Sequence, residues 1–340
     1  MKIGDFDLEK DILIVAEIGN NHEGDYMLAE KMIRLAVKAG AGAVKLQTYR
    51  TELYVNRKDK ARFDKLKSFE LTYDEFYRLS KVAQSEGVLF LSTPFDLESA
   101  EFLNTIVPAF KISSGDNTFY PLLEKVAQFG KPVILSSGLA DLKQIRCSKS
   151  FIERIWEKVG RQQSLAVLHC VASYPVSPAE VNLMAISQLK YELQCTVGYS
   201  DHSLGIEAAV LSVVLGARIV EKHFTVDRNY SDFKDHQLSA DPQNMSELVR
   251  RIKEITVLLG TGEINVQESE KSVSHLLRRS IAAKRDLPKG AKITWDDITW
   301  VRPAGGISPG EEHRFIGNSL SRSVKAGEQI IPEFLKEKKE

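Results

Sequence analysis

The sequence predicts a (βα)8 barrel followed by a small, mainly β C-terminal domain. Three observations carry that expectation. Eight short apolar runs alternate with amphipathic stretches over about 250 residues, as a closed parallel sheet covered by helices requires. The loop after the first run reads GNNHEG, without the G-x-G-x-x-G turn that an open, doubly wound sheet would favour. Beyond residue 259 the alternation stops, and β-like pieces broken by turns replace it.

The first strand signal is ILIVAEI at 12–18, rich in β-branched residues and followed by a turn-forming loop. Residues 26–38 then show helical periodicity and stop at Ala39-Gly40. The cycle repeats with strands at 43–47, 88–93, 109–113, 132–137, 165–170, 196–200 and 218–224. Between and after them, helices are expected at 73–86, 97–105, 120–129, 149–159, 181–189, 206–215 and 245–259. The expected division is a barrel over 1–262, a linker over 263–279 and a small domain over 280–340. A module of about 60 residues is marginal alone, so docking on a barrel is expected. The PEFLKEKKE tail reads as a solvated end.

Composition narrows the function classes. The 340 residues carry 46 basic and 46 acidic side chains, a formal charge of zero that points to neither nucleic acid nor an anionic membrane. Cys147, Cys170 and Cys195 are odd in number and show no metal-ligand spacing, which fits a reducing cytoplasm. The N-terminus MKIGDFDLEKD has no apolar h-region, and no apolar run reaches the roughly 18 residues of a membrane span. The expectation is a cytoplasmic protein.

Barrel enzymes carry their chemistry at the C-terminal strand ends. Here those ends are polar. They offer Glu17, Asn20, Asn21 and His22; Lys45 and Gln47; Ser92 and Thr93; Lys111, Ser113 and Ser114. The later strands add Ser136 and Ser137; His169, with Tyr174 in the next loop; Ser200, Asp201 and His202; Glu221 and His223. Charges inside apolar strands are costly unless paired, so Glu17, Lys45, Lys111 and Glu221 are either structural ion pairs or a site. Two lysines and several hydroxyls at one mouth describe an oxyanion site, hence an anionic substrate. His202 and His223, on adjacent strands, could meet one cation. His236 is a further candidate, as substrate contact or acid–base group. His275 and His313 read as surface residues.

The motifs AEIGNNHEG (16–24), VKLQTY (44–49), FKISSGD (110–116), ILSSGL (134–139), LHCVASYP (168–175), GYSDHSLG (198–205), EKHFT (221–225), DHQLSADP (235–242) and RRSIAAKRDLPKG (278–290) resemble the sialic acid synthase family, in order and over essentially the whole chain. The resemblance implies a (βα)8 barrel and an antifreeze-like, or SAF, C-terminal domain. It implies condensation of phosphoenolpyruvate with N-acetylmannosamine or a related N-acyl amino sugar, by a homodimer in which one chain's C-terminal domain caps the other's barrel. Legionaminic or pseudaminic acid synthesis from a diacetamido sugar is the alternative. By resemblance, His202 and His223 would hold Mn²⁺ or Mg²⁺, and Glu17 would stand beside the reacting carbons. Lys45, Lys111, Ser114, Ser136, Tyr174 and Ser200 would bind phosphoenolpyruvate. Gln47, Asp116 and Asp235 would contact the sugar, and Arg302 would reach its N-acyl group across the dimer.

Two positions depart from the family pattern. Ala172 stands where some relatives carry Asn, and the arginine motif reads Arg302-Pro303-Ala304-Gly305-Gly306. Two rival readings stay open: an aldolase using Lys45 or Lys111 as a Schiff base, and a non-catalytic sugar-binding protein.

Overall fold

A computed structural model describes residues 1–336. They form two compact units, Met1–Gly260 and Thr261–Glu340, the second described up to residue 336. The end of the expected solvated tail, 337–340, lies outside the described residues.

In the first unit eight parallel strands form one sheet. They are β1 (Leu13–Gly19), β2 (Ala43–Thr48), β3 (Leu89–Pro94), β4 (Phe110–Ile112), β5 (Val133–Ser136), β6 (Leu165–Cys170), β7 (Thr196–Asp201) and β8 (Ile219–His223). The hydrogen-bonded order runs β3-β2-β1-β8-β7-β6-β5-β4, and β3 packs against β4 to leave a nearly closed barrel. The main outer helices are α1 (Tyr26–Lys38), α2 (Tyr73–Ser85), α3 (Leu97–Leu103), α4 (Tyr120–Gln128), α5 (Leu142–Lys158), α6 (Met184–Leu193), α7 (Glu207–Val214) and α8 (Pro242–Leu259).

Local chemistry sets their starts. Asp25 accepts from the N–H groups of Met27 and Leu28 and begins α1. Thr72 and Glu75 form a reciprocal capping box at α2. Asp241, with Pro242 in the first turn, begins α8. Helix α5 begins at Leu142, capped by Asp141, seven residues before the expected start at 149. Its first turns bury only Ile145 and Ser148, so the apolar stripe is too diluted there to read from sequence.

The strand period of two sorts the core. Outward residues such as Ala16, Ile18, Val44, Leu46 and Val220 pack with helix residues including Met32, Ile33, Phe76 and Leu79. Inward residues Leu13, Val15, Ala43, Leu91, Ala109, Ile134, Ala166, Leu168 and Ile219 fill the barrel's lower layers. An N-terminal hairpin, Lys2–Ile3 with Phe6–Asp7, adds Ile3 to this inner cluster, and Leu8 just after it joins too. The next inward positions along the same strands are polar: Glu17, Lys45, Thr93, Lys111, Ser136, Ser200 and Glu221. The apolar floor therefore ends in a polar mouth.

The connection from β2 to α2 carries two helices that the sequence did not announce, Thr51–Tyr54 and Lys60–Phe69. The second unit is mostly turns around a short antiparallel pair, Ser280–Ala283 with Ile298–Val301. Its core gathers Ile281, Leu287, Ile293, Ile298, Ile307, Phe315, Leu320, Val324 and Ile330. The segment expected to be a plain linker, 263–279, contains the helix Glu268–Leu277. Gln267 and Glu270 cap it reciprocally, but it buries no residue, so no apolar stripe marked it. The tail is ordered as far as Pro332–Phe334, a 3-10 turn, and Leu335 bridges back to Leu320. No helix of the described residues is long and apolar enough to cross a membrane.

Candidate active site

The register of the parallel strands assembles the site. Glu17 on β1 stands opposite Lys45 on β2 and His223 on β8, while Glu221 on β8 stands opposite Ser200 on β7. Immediately after Glu17 the pairing of β1 with β2 shifts register at Gly19, whose φ of 55° favours glycine. This break ends the strand just above Glu17.

A cavity of about 550 Å³ opens at this end of the barrel. Glu17, Lys45, Gln47, Lys111, Ser114, Asp116, Ser136, Tyr174, Ser200, His202, His223 and Asp235 all line it. His236 does not. It is fully buried behind Asp235, with one ring nitrogen 2.6 Å from Thr225 Oγ1 and the other 3.0 Å from Glu23 Oε1. Arg302 is exposed in the second unit, after the strand Ile298–Val301. His169 also stays out of the cavity, and its Nε2 meets the Val181 carbonyl at 2.8 Å.

The charges form an alternating buried quartet. Lys45 Nζ lies 2.8 Å from Glu17 Oε2 and 3.8 Å from Glu221 Oε1, and Lys111 Nζ lies 3.7 Å from Glu221 Oε1. Both lysines thus pair internally and face the cavity at once. Further donors go to Thr93 Oγ1 at 3.1 Å from Lys45, and to Ser136 Oγ at 2.8 Å and the Ile112 carbonyl at 3.2 Å from Lys111. Ser200 donates to Glu221 at 3.0 Å. Glu17 Oε1 accepts from Gln47 at 3.2 Å, and Asn20 donates to Gln47 at 3.0 Å, fixing its amide. Glu17 Oε2 has the Lys45 ammonium as its one close neighbour and no other donor.

These surroundings set the protonation states. Burial pushes the Glu17 carboxyl up to about 6, against the pull of Lys45, and Glu221 adds to the rise. Burial works against charge on Lys45 too, but Glu17 and Glu221 outweigh it and hold the ammonium above its ordinary range. Lys111 falls below its usual value because burial exceeds the help from Glu221. On Glu221, burial is overcome by Lys111 and Lys45, which keep the carboxylate ionised. Burial raises Asp116, opposed by the Ser113 hydroxyl at 2.6 Å, and also raises Asp235.

His202 and His223 do converge, with ring centroids 5.5 Å apart. Tyr174 packs on His202 at 4.1 Å. His202 Nδ1 lies 2.8 Å from the Val171 carbonyl, so Nδ1 carries a proton and Nε2 is the nitrogen that could ligate once deprotonated. His223 Nδ1 is buried without any partner. Burial first, then the neighbouring His202 and lysines, hold His223 neutral, the state a metal ligand needs. Among the described residues no group of three or more His, Cys, Asp or Glu is arranged around one point. His202 and His223 are therefore the two protein groups here that could hold a cation.

A second buried ion pair escaped the sequence reading. Lys222 and Asp201 are register partners that point away from the cavity, with Nζ 2.9 Å from Oδ2. Asp201 Oδ1 also accepts from the Ser203 N–H at 2.8 Å and its hydroxyl at 2.6 Å. The pair thereby braces the backbone on both sides of His202 and just before His223. Removing one partner strands a buried charge, so Lys222→Met should lower stability by about 3–5 kcal/mol. Urea unfolding tests this; a loss below about 1 kcal/mol would mean that water reaches the pair.

His22 lies outside the cavity, fully enclosed, with Nδ1 accepting from the Gly24 N–H at 3.1 Å and Nε2 unpartnered. Burial lowers it to about 4, although Asp25, Glu75 and Glu23 pull upward. The unfolded chain takes up this proton near pH 6.5 and the folded chain only near 4. Stability is therefore full above about pH 6.5 and declines as pH falls towards 4, by about 3 kcal/mol from this residue. His22→Asn, whose amide oxygen can replace Nδ1, should flatten the acid limb of a urea-midpoint profile. An unaltered slope would assign the acid sensitivity elsewhere.

Comparison with known proteins bears on this site. Residues 32–264 match the NeuB family and residues 278–336 match the SAF domain. An uncharacterised protein of Methanocaldococcus jannaschii is 44% identical over 96% of this chain and 94% of its own. The N,N'-diacetyllegionaminic acid synthase of Legionella pneumophila is 39% identical over 95% of this chain and 94% of its own. Among solved structures, the N-acetylneuraminic acid (sialic acid) synthetase of Leptospira borgpetersenii, in complex with citrate, is 39% identical with a TM-score of 0.71. That match covers 77% of this chain and 90% of the other.

Proposed function

The chain belongs to the NeuB family, and on that premise we propose that it condenses phosphoenolpyruvate with N-acetylmannosamine or a related N-acyl hexosamine and water. The products are a nine-carbon 2-keto acid and phosphate. The observation that carries this reading is the convergence of Lys45, Lys111, Ser114, Ser136 and Ser200 on one cavity beside two imidazoles.

Lys45 and Lys111 bind the phosphate and carboxylate of the enol phosphate, with the three serines and the Tyr174 hydroxyl completing the shell. Gln47, Asp116 and Asp235 orient the open-chain sugar through its hydroxyls. A divalent cation, Mn²⁺ ahead of Mg²⁺ for a set of two imidazoles, would be held by His202 and His223 and would supply a Lewis acid for the aldehyde oxygen. C3 of the enol forms the new bond to the aldehyde carbon, and C2 becomes electron-poor. Glu17 takes a proton at Oε2 from the water that adds at C2 and passes it to the new alkoxide. Its raised proton affinity suits both transfers near neutral pH. Cleavage of the C2–O bond then expels phosphate, which leaves with the C2 hydroxyl proton, and restores the carbonyl. In this reading the protein works in the cytoplasm as a homodimer. The SAF domain of one copy covers the barrel of the other and brings Arg302 to the N-acyl group.

The test supplies phosphoenolpyruvate, Mn²⁺ and a panel of acceptors: N-acetylmannosamine, its 6-phosphate and a 2,4-diacetamido-2,4,6-trideoxyhexose. Phosphate release matched by a product of summed mass supports the reading; no release with any acceptor rejects it. One observation favours a second reading. The lowered proton affinity of Lys111 suits a Schiff-base nucleophile. Borohydride trapping of a covalent adduct would select that aldolase reading.

A further inference from the structure

The cavity has a wall that the proposed chemistry leaves unused. Tyr54 and Arg62, from the two unexpected helices after β2, line it together with Phe95, which follows β3. The rings of Tyr54 and Phe95 pack at 4.6 Å with a 30° tilt, and Tyr49 packs on both. The Arg62 guanidinium lies 5.7 Å from the centre of the Tyr54 ring. Lys45 and Lys111 are tied to carboxylates, whereas Arg62 makes no ion pair among the described residues. Its backbone is anchored instead, since its N–H caps on Asp59 at 3.3 Å.

In the circular strand order this wall rises beside β2 and β3, and β3 stands across an eight-stranded barrel from β7, which ends at His202. An acceptor whose aldehyde meets the imidazoles therefore turns its far end towards Arg62. A flat apolar surface bordered by one planar donor fork matches a neutral acyl group: methyl against the rings, carbonyl oxygen on the guanidinium. It suits a phosphate poorly. Arg62 stands alone, and the Asp116 carboxyl lines the same side of the cavity and would repel a dianion.

We propose that Arg62, with Tyr54 and Phe95, forms a subsite for a second N-acyl group remote from the aldehyde, which makes a diacetamido hexose the preferred acceptor class. This rests on the synthase reading above. A monoacetamido hexose carries its only acyl group next to the aldehyde carbon and leaves the wall empty.

The experiment measures kcat and KM for the full chain and Arg62→Ala with each acceptor of the panel. Arg62 is exposed on a polar helix, so folding is not at stake. The expected result is a wild-type preference for the diacetamido sugar. The variant should lower the ratio of kcat/KM for the diacetamido over the monoacetamido sugar by about 10- to 100-fold, the weight of hydrogen bonds to a charged group. The loss should sit in the KM for that sugar. Equal losses with both acceptors, a loss confined to the KM for phosphoenolpyruvate, or a wild-type preference for the 6-phosphate would each overturn the subsite while leaving the synthase reading standing. A wild type that releases phosphate with no acceptor overturns both.

Discussion

Glu17→Gln should leave the protein folded and lower turnover by about 100- to 10,000-fold, the usual weight of a positioned acid–base group. The substitution keeps the size and the acceptor that Gln47 addresses at 3.2 Å. It removes the oxygen that faces Lys45 alone, and with it the carboxylate's capacity to take a proton. Lys45 loses its nearest carboxylate but keeps Glu221 at 3.8 Å, so the ammonium is not left wholly unpaired. The effect should therefore appear in kcat, with the KM for phosphoenolpyruvate shifted little. Steady-state phosphate release with a far-ultraviolet dichroism control separates the outcomes. Near-normal kcat in a folded variant would remove Glu17 from the proton transfers.

Chelation should abolish turnover, and Mn²⁺ should restore it. The structural reason is the orphaned Nδ1 of His223, with the His202 ring centred 5.5 Å from its own. A buried nitrogen without a partner is costly, and a cation held by both rings would relieve it. Binding itself can be read from the paramagnetic resonance of Mn²⁺, independently of catalysis. His223→Gln should weaken it by more than the roughly 10- to 100-fold that loss of an outer-shell partner costs. A metal-free preparation with full activity, or unaltered Mn²⁺ affinity in the variant, would contradict the assignment.

Much of this site was legible because strand periodicity is simple. Once eight parallel strands are recognised, every second residue faces inward, and the last inward position before each loop is the mouth. Glu17, Lys45, Lys111, Ser136, Ser200 and His223 follow from that rule and all line the cavity. Loops obey no such period. Arg62 and Tyr54 sit on helices in a polar connection, and the ten-residue one, Lys60–Phe69, buries only Phe69. Nothing in that stretch distinguishes a cavity wall from a solvated surface. Lys222 was passed over for the opposite reason. It faces outward, where alternation predicts an apolar residue, and only the register with Asp201 explains it. His236, expected in a loop as a substrate contact or acid–base group, sits instead on a short helix, Lys234–Leu238, with its ring buried against Thr225 and Glu23.

The proposed reaction breaks a carbon–oxygen rather than a phosphorus–oxygen bond, because water adds at C2 of the enol phosphate beside Glu17. Phosphoenolpyruvate labelled with ¹⁸O at the bridging oxygen decides the point when turned over with an accepted sugar. The prediction is phosphate that carries the label and a keto acid whose C2 oxygen comes from solvent. Unlabelled phosphate, with the label retained in the product, would mean attack at phosphorus and would contradict the mechanism.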